Sequence, residues 1–206
     1  LEAGNVSVAK HVALYFPGHQ EIPLRELERA AENPLAFLDK LPVSLSTRAG
    51  RELTLFALSR AARSQPQQAL PYWNALYSRF SVEEQAYGWG QLAFHAARKH
   101  DPAALAWFGK AAGTPLSDLQ LAWKVRAALR EQNWQEVQAA IAAMSEAEQN
   151  QGSWRYWKAR ALKAQGKAVQ GNAILAPLSK EFNYYGQLAA GELGVVAGSP
   201  VESGKV

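Results

Sequence analysis

The sequence predicts an all-α chain: a right-handed superhelix of tetratricopeptide-like helical hairpins, an α-solenoid. Three observations lead there. A short polar turn recurs at steps close to the length of a helix pair. Alanine abounds while Val and Ile are sparse and strand formers never cluster, which favours helix on propensity. Residues 53–62 are apolar nearly all round (Leu53, Leu55, Phe56, Ala57, Leu58, Ala61, Ala62), as expected of a helix enclosed by neighbours within a stack.

The turn takes the forms Ala3-Gly4-Asn5-Val6, Glu32-Asn33-Pro34, Gln65-Pro66, His100-Asp101-Pro102, Gln132-Asn133-Trp134 and Gln165-Gly166-Lys167. Aligning Val6, Pro34, Pro66, Pro102, Trp134 and Lys167 gives steps of 28, 32, 36, 32 and 33 residues, against about 34 for a tetratricopeptide repeat. Asn and Asp cap the following helix through a side-chain oxygen. Pro opens a helix without wasting an N–H, and Gly166 suits the left-handed residue that ends one. The predicted helices are 6–15, 23–32, 34–41, 47–64, 66–79, 82–99, 102–112, 117–131, 134–144, 153–165, 167–180 and 183–193. Residues 6–15 read as the second half of a hairpin whose first half is missing, which suggests truncation at the N-terminus. Residues 1–194 form one helical-repeat domain in this reading. Residues 195–206, rich in Gly, Ser and Val, read as a flexible tail or the start of a linker. The other expected joint is 16–23, which carries Pro17, Gly18 and Pro23.

The totals narrow the function classes. With 206 residues, 48% hydrophobic and 19% charged, the chain is neither disordered nor membrane-spanning in composition. No apolar run reaches the roughly 20 residues of a transmembrane helix. The absence of cysteine excludes disulfides, thiolate catalysis and Cys-ligated metals. A net charge of +4 and a pI near 9.3 suit an anionic partner, but the charge is too weak and scattered to imply nucleic acid.

Sites of chemistry can be sought in turn. His11, His19, His95 and His100 form no metal-ligand spacing, and His95, within Leu92-Ala93-Phe94-His95-Ala96, reads as a packed histidine. No phosphate-binding glycine loop and no nucleophile elbow occur. Ser81, Ser117 and Ser153 read as N-caps, with Ser81 and Glu84 at capping-box spacing. Glu83, Glu84, Glu146 and Glu148 fall at helix starts, where the dipole favours them. Glu181 and Glu192 have no such explanation, and nothing in the sequence pairs them. Tyr72, Trp73, Tyr77, Trp107 and Phe108 read chiefly as packing between repeats, with a carbohydrate-stacking shelf as the sharper alternative. On helix 153–165, Trp154, Trp157, Ala161 and Ala164 share one face. Arg155, Tyr156, Arg160 and Lys163 fall on the other, a basic face that is either solvated or turned to an anionic polymer.

The segment Trp154-Arg155-Tyr156-Trp157-Lys158-Ala159-Arg160-Ala161-Leu162 is followed, some twenty residues on, by Asn183-Tyr184-Tyr185-Gly186-Gln187-Leu188-Ala189-Ala190-Gly191-Glu192-Leu193-Gly194. This pair of motifs resembles the end of the superhelical domain of soluble lytic murein transglycosylases. The resemblance implies a periplasmic parent enzyme that cleaves the MurNAc–GlcNAc β-1,4 bond of peptidoglycan without water, leaving a 1,6-anhydro sugar. A single Glu in a lysozyme-like C-terminal domain would act as acid and then base, with no metal or cofactor. The motifs that carry that Glu, E-S-x-x-N-P and G-L-M-Q, do not occur here; the only Met is in Ala143-Met144-Ser145. No catalytic residue therefore carries over. The implied partners are peptidoglycan glycan strands and the protein's own C-terminal catalytic domain, with no nucleic acid and no transmembrane segment. Arg155, Tyr156, Arg160, Lys163, Tyr184 and Tyr185 are the candidate glycan contacts. The competing reading is a generic tetratricopeptide-like protein–protein interaction module.

Overall fold

The computed structural model describes residues 6, 7 and 23–195, and among them no strand occurs. The helices are α1 (Leu24–Glu32), α2 (Pro34–Lys40), α3 (Arg48–Ser64), α4 (Pro66–Leu76), α5 (Val82–Arg98), α6 (Ala104–Lys110), α7 (Asp118–Arg130), α8 (Trp134–Ala142), α9 (Glu146–Gln149), α10 (Gly152–Ala164), α11 (Ala168–Leu178) and α12 (Tyr184–Leu193). A 3₁₀ turn over Tyr77–Arg79 extends α4. Within the described residues each predicted helix agrees to two residues at either end when that turn is counted with α4. The predicted helix 6–15 beyond Ser7, the joint up to residue 22 and the tail beyond Val195 lie outside the described residues.

Local chemistry sets the ends. Asn33, Thr47, Asn133 and Asn183 each accept a backbone N–H of the first turn. Ser81 forms the expected capping box with Glu84, and Ser117 forms a second one with Gln120. Ser153 is not a cap: α10 begins one residue earlier, behind Gln151, which makes no side-chain cap. The short α9, capped by Ser145, is absent from the predicted helices.

One turn geometry recurs. The N–H of Asp101 bonds to the carbonyl of Ala96 at 3.0 Å, Asn133 to Ala128 at 2.9 Å, Lys167 to Leu162 at 2.9 Å and Val195 to Ala190 at 3.0 Å. In each case the preceding residue is left-handed: His100 at φ 60°, Gln132 at 55°, Gly166 at 77° and Gly194 at 68°. This is the Schellman closure of a helix C-terminus. Glycine takes that conformation freely, whereas His100 and Gln132 hold it at some cost.

Contacts gather the chain into two compact units, 1–115 and 116–206. In the first, α3 meets α1, α2, α4 and α5. Its buried residues, from Gly50 to Ala62, occupy every side of the helix, as its all-round apolar sequence predicts. The repeat step reappears as side-chain bonds between successive hairpins: Arg51 to Glu84, Ser59 to Gln91 and Gln67 to Asp101, 33, 32 and 34 residues apart. Trp73 is fully buried, with Phe80 at 5.2 Å and Trp89 at 6.5 Å between ring centres, and Trp89 meets Trp107 at 6.4 Å. Gly88 makes room for this, since a Cβ there would stand 2.3 Å from the Trp73 ring. Trp73, Trp107 and Phe108 are thus packing residues, while Tyr77 stays partly exposed. His95 is buried as well. Burial, reinforced by the charges of Arg98, Arg63 and Lys99, pushes its imidazole down to about 4.

In the second unit α7 pairs with α8, and α10 packs on α8, α9, α11 and α12. A helix with neighbours on that many sides cannot keep one wet face.

Candidate functional site

The two motifs of the C-terminal half meet in space. Tyr156 on α10 is 5% exposed and belongs to a core of Ala159, Leu175, Leu178 and Ala189, against which Trp157 and Tyr185 also pack. The ring of Tyr185 lies 5.8 Å from that of Tyr156. The expected division of α10 into a Trp154/Trp157 core face and a basic face therefore needs correction. Trp154 and Tyr156 are both buried, and Ala164, expected in the core, is exposed. The physical reason is that α10 is enclosed by α8 and α9 as well as by α11 and α12.

The cations of α10 are committed as well. Arg155 donates through Nη2 to Glu181 Oε1. Asn183 Nδ2 donates to the other Glu181 oxygen at 3.0 Å, and Asn183 Oδ1 accepts from the Gly186 N–H at 2.9 Å. Arg160 donates to the Tyr156 hydroxyl at 3.0 Å and pairs with Glu192 at 2.8 Å. Lys163 reaches the second Glu192 oxygen at 3.0 Å. Glu181 and Glu192, unpaired in the sequence reading, are the counter-charges of the basic face. Arg155 first, and Asn183 after it, hold the Glu181 carboxyl below its ordinary range. Kept ionised, Glu181 accepts hydrogen bonds and is unsuited to donate a proton at neutral pH.

Two glycines let these elements approach. A Cβ on Gly186 would stand 2.0 Å from the Glu181 carbonyl oxygen, and one on Gly171 would stand 2.7 Å from Lys163 Cγ. The glycine in Asn183-Tyr184-Tyr185-Gly186 is therefore a requirement of close packing at the start of α12.

Of the six candidate contacts, Tyr156 is core, Tyr185 is partly buried against it, and Arg155, Arg160 and Lys163 are partly buried in ion pairs. Tyr184 is 67% exposed, with its ring 5.2 Å from Tyr185. Beside it, Phe182 is 92% exposed. Phe182 was not singled out from the sequence, because nothing in a lone aromatic between two helices marks it as outward-facing. Phe182 and Tyr184 are thus two exposed aromatic side chains two positions apart in the sequence, each suited to stacking. Among the described residues no cluster of His, Asp and Glu could hold a metal ion, and no helix is long and apolar enough to cross a membrane.

No family profile matches the sequence and no curated protein does. Solved structures do. An inactive mutant of the lytic transglycosylase Slt from Pseudomonas aeruginosa superposes with a TM-score of 0.72 and 28% identity, over 95% of this chain and 32% of that one. The 70-kDa soluble lytic transglycosylase from Escherichia coli gives a TM-score of 0.67 and 20% identity, over 95% of this chain and 32% of that one. The 70-kDa soluble lytic transglycosylase in complex with bulgecin A gives 0.67 and 19% identity, over 98% and 33%. The last two establish the fold alone; the first adds sequence likeness along nearly the whole chain. The chain is an all-helical relative of the soluble lytic transglycosylases and spans about a third of the length of the structures it matches.

Proposed function

We propose that the chain is the non-catalytic helical scaffold of a periplasmic lytic transglycosylase, a protein that cleaves the MurNAc–GlcNAc bond of peptidoglycan to a 1,6-anhydro product. In this reading residues 1–194 hold glycan strands and shape the ring around them, and residues 195–206 lead toward a separate catalytic domain that carries the acid. The carrying observation is that the two motifs resembling that family are joined by the Arg160–Glu192 pair and the Tyr156–Tyr185 contact, within a chain matched at a TM-score of 0.72. Tyr184 is the exposed member of the candidate contacts, with Phe182 beside it.

The test is retention of the full chain on purified sacculi at low and physiological salt, with a parallel search for anhydro muropeptides. Retention without release supports the scaffold reading, and Tyr184→Ala should weaken it. Absence of retention would favour the second reading, a tetratricopeptide-like protein-interaction module. The exposed Phe182 also suits a protein partner. Release of anhydro products would place chemistry in this chain and overturn the non-catalytic role.

A further inference from the structure

Arg126 stands apart from the ion-paired cations of the second unit. Lys124 pairs with Glu136, Arg155 with Glu181, and Arg160 and Lys163 with Glu192. Arg126 makes no ion pair among the described residues, yet its guanidinium is fixed. Its carbon lies over the Trp123 ring at 5.0 Å and over the Trp154 ring at 5.4 Å, and Nη1 donates to the Ala122 carbonyl at 2.9 Å. Trp154 is buried and anchored in turn, its indole N–H donating to Glu148 at 3.0 Å. The other oxygen of Glu148 accepts from Gln151 at 2.7 Å, so that carboxylate is already occupied.

These contacts remove the rotamer freedom that a surface arginine ordinarily gives up when it grips a ligand. Arg126 is exposed and Trp123 half-buried. A fork of N–H donors with one bond spent is thus offered beside a half-buried apolar ring, one face of which the guanidinium itself covers. The fork matches a carboxylate, and an indole face packs well on the C–H face of a sugar. A neutral sugar would leave the charge unanswered, and a simple anion would leave the ring unused.

We propose that Arg126 and Trp123 bind a saccharide bearing a carboxylate, with Arg126 taking the acid, Trp123 the ring and Trp154 fixing the guanidinium plane. This deepens the glycan-holding reading above and rests on it only for the source of the saccharide.

The experiment follows the indole N–H signals of the full chain in a proton–nitrogen correlation spectrum during titration with N-acetylmuramic acid or N-acetylglucosamine. These sugars share a ring and differ in the carboxylate-bearing lactyl ether. The Trp123 and Trp154 signals, assigned from Trp→Phe variants, should move with the acid sugar and hardly with the neutral one. Arg126→Gln should weaken the acid sugar about tenfold or more, as loss of a charge-assisted bond predicts. Arg126→Lys, which keeps the charge without the fork, should fall between. A well-dispersed backbone spectrum for each variant shows that it is folded. Equal response to both sugars, no response at those two indoles, or unchanged affinity in folded Arg126→Gln would overturn the proposal. On sacculi stripped of stem peptide by an amidase, which frees the lactyl carboxylates, wild-type retention that Arg126→Gln leaves intact would sink this site and spare the scaffold reading. Loss of all wild-type retention would sink that reading, with the sugar titration still deciding on Arg126.

Discussion

Gly186 provides a sharp test of whether the Asn183-Tyr184-Tyr185-Gly186 motif is a packing device. Gly186→Ala adds one methyl group at the third residue of α12. By itself the exchange favours helix by about 1 kcal/mol. Against that, the Cβ would lie 2.0 Å from the Glu181 carbonyl oxygen and 3.0 Å from that of Leu178, both backbone atoms that no rotamer change can move. Ordinary contact begins near 3.4 Å, so the turn or the start of α12 must shift by more than an ångström. That shift disturbs the Asn183 cap on Gly186, worth about 1 kcal/mol, and adds an overpacking cost of about 1–3 kcal/mol. The net expectation is a loss of about 1–3 kcal/mol, or several degrees of melting temperature at about 2–4 °C per kcal/mol. Gly191 on the same helix is the control, because a Cβ there meets nothing within 4 Å. Gly191→Ala should gain up to about 1 kcal/mol. Urea titrations followed by far-ultraviolet circular dichroism measure both. A Gly186→Ala variant as stable as wild type would refute the packing account and leave the glycine to be explained by function.

Two further predictions concern the repeat and its core. Gln132→Gly relieves a left-handed side chain at the α7–α8 turn and should raise stability by about 0.5–1 kcal/mol, read in the same urea titration. His95 binds its proton less readily when folded, at about 4 against 6.5, so the unfolded chain takes up more protons between those values. Stability should be full above pH about 6.5 and fall as pH drops toward about 4, by roughly 3 kcal/mol at 1.36 kcal/mol per unit. His95→Leu should flatten that part of the profile in a series of melts across the range, and an unchanged slope would contradict the burial argument.

The repeat was legible because each turn carries its own chemistry. Asn33-Pro34, Gln65-Pro66 and Gln165-Gly166 announce a stop and a start in adjacent residues, and the structure realises them within two residues. The ends that were misplaced lacked such a signal. Gln151 precedes α10 without a side-chain bond, so Ser153 looked like the nearest cap. The four-residue α9 is too short for any periodicity to reveal. His100 and Gln132 hold left-handed turns that residue type disguises, and aligning the turns on Pro102, Trp134 and Lys167 sets Gly166 one residue out of step with them.

The burial of the α10 cations is hidden from the sequence for a different reason, one that bears on function. A helical wheel treats a helix as having one partner, so Arg155, Tyr156, Arg160 and Lys163 looked like a single wet surface. In the structure α10 has neighbours on several sides, and its cations meet carboxylates 26, 29 and 32 residues away. No periodicity within a helix encodes a partner at that distance; it comes from the hairpin closing on α12. A surface selected to hold an anionic polymer should keep its cations available, yet these are mostly spent on α11–α12 and its turn. Arg126 is the contrasting case: its plane is fixed by Trp123, Trp154 and the Ala122 carbonyl, without a carboxylate. If the chain grips acidic glycan, exchange of Arg126 should cost more binding than exchange of Arg155. Exchange of Arg155 should cost more stability, because Glu181 would then lose its charge-assisted hydrogen bond.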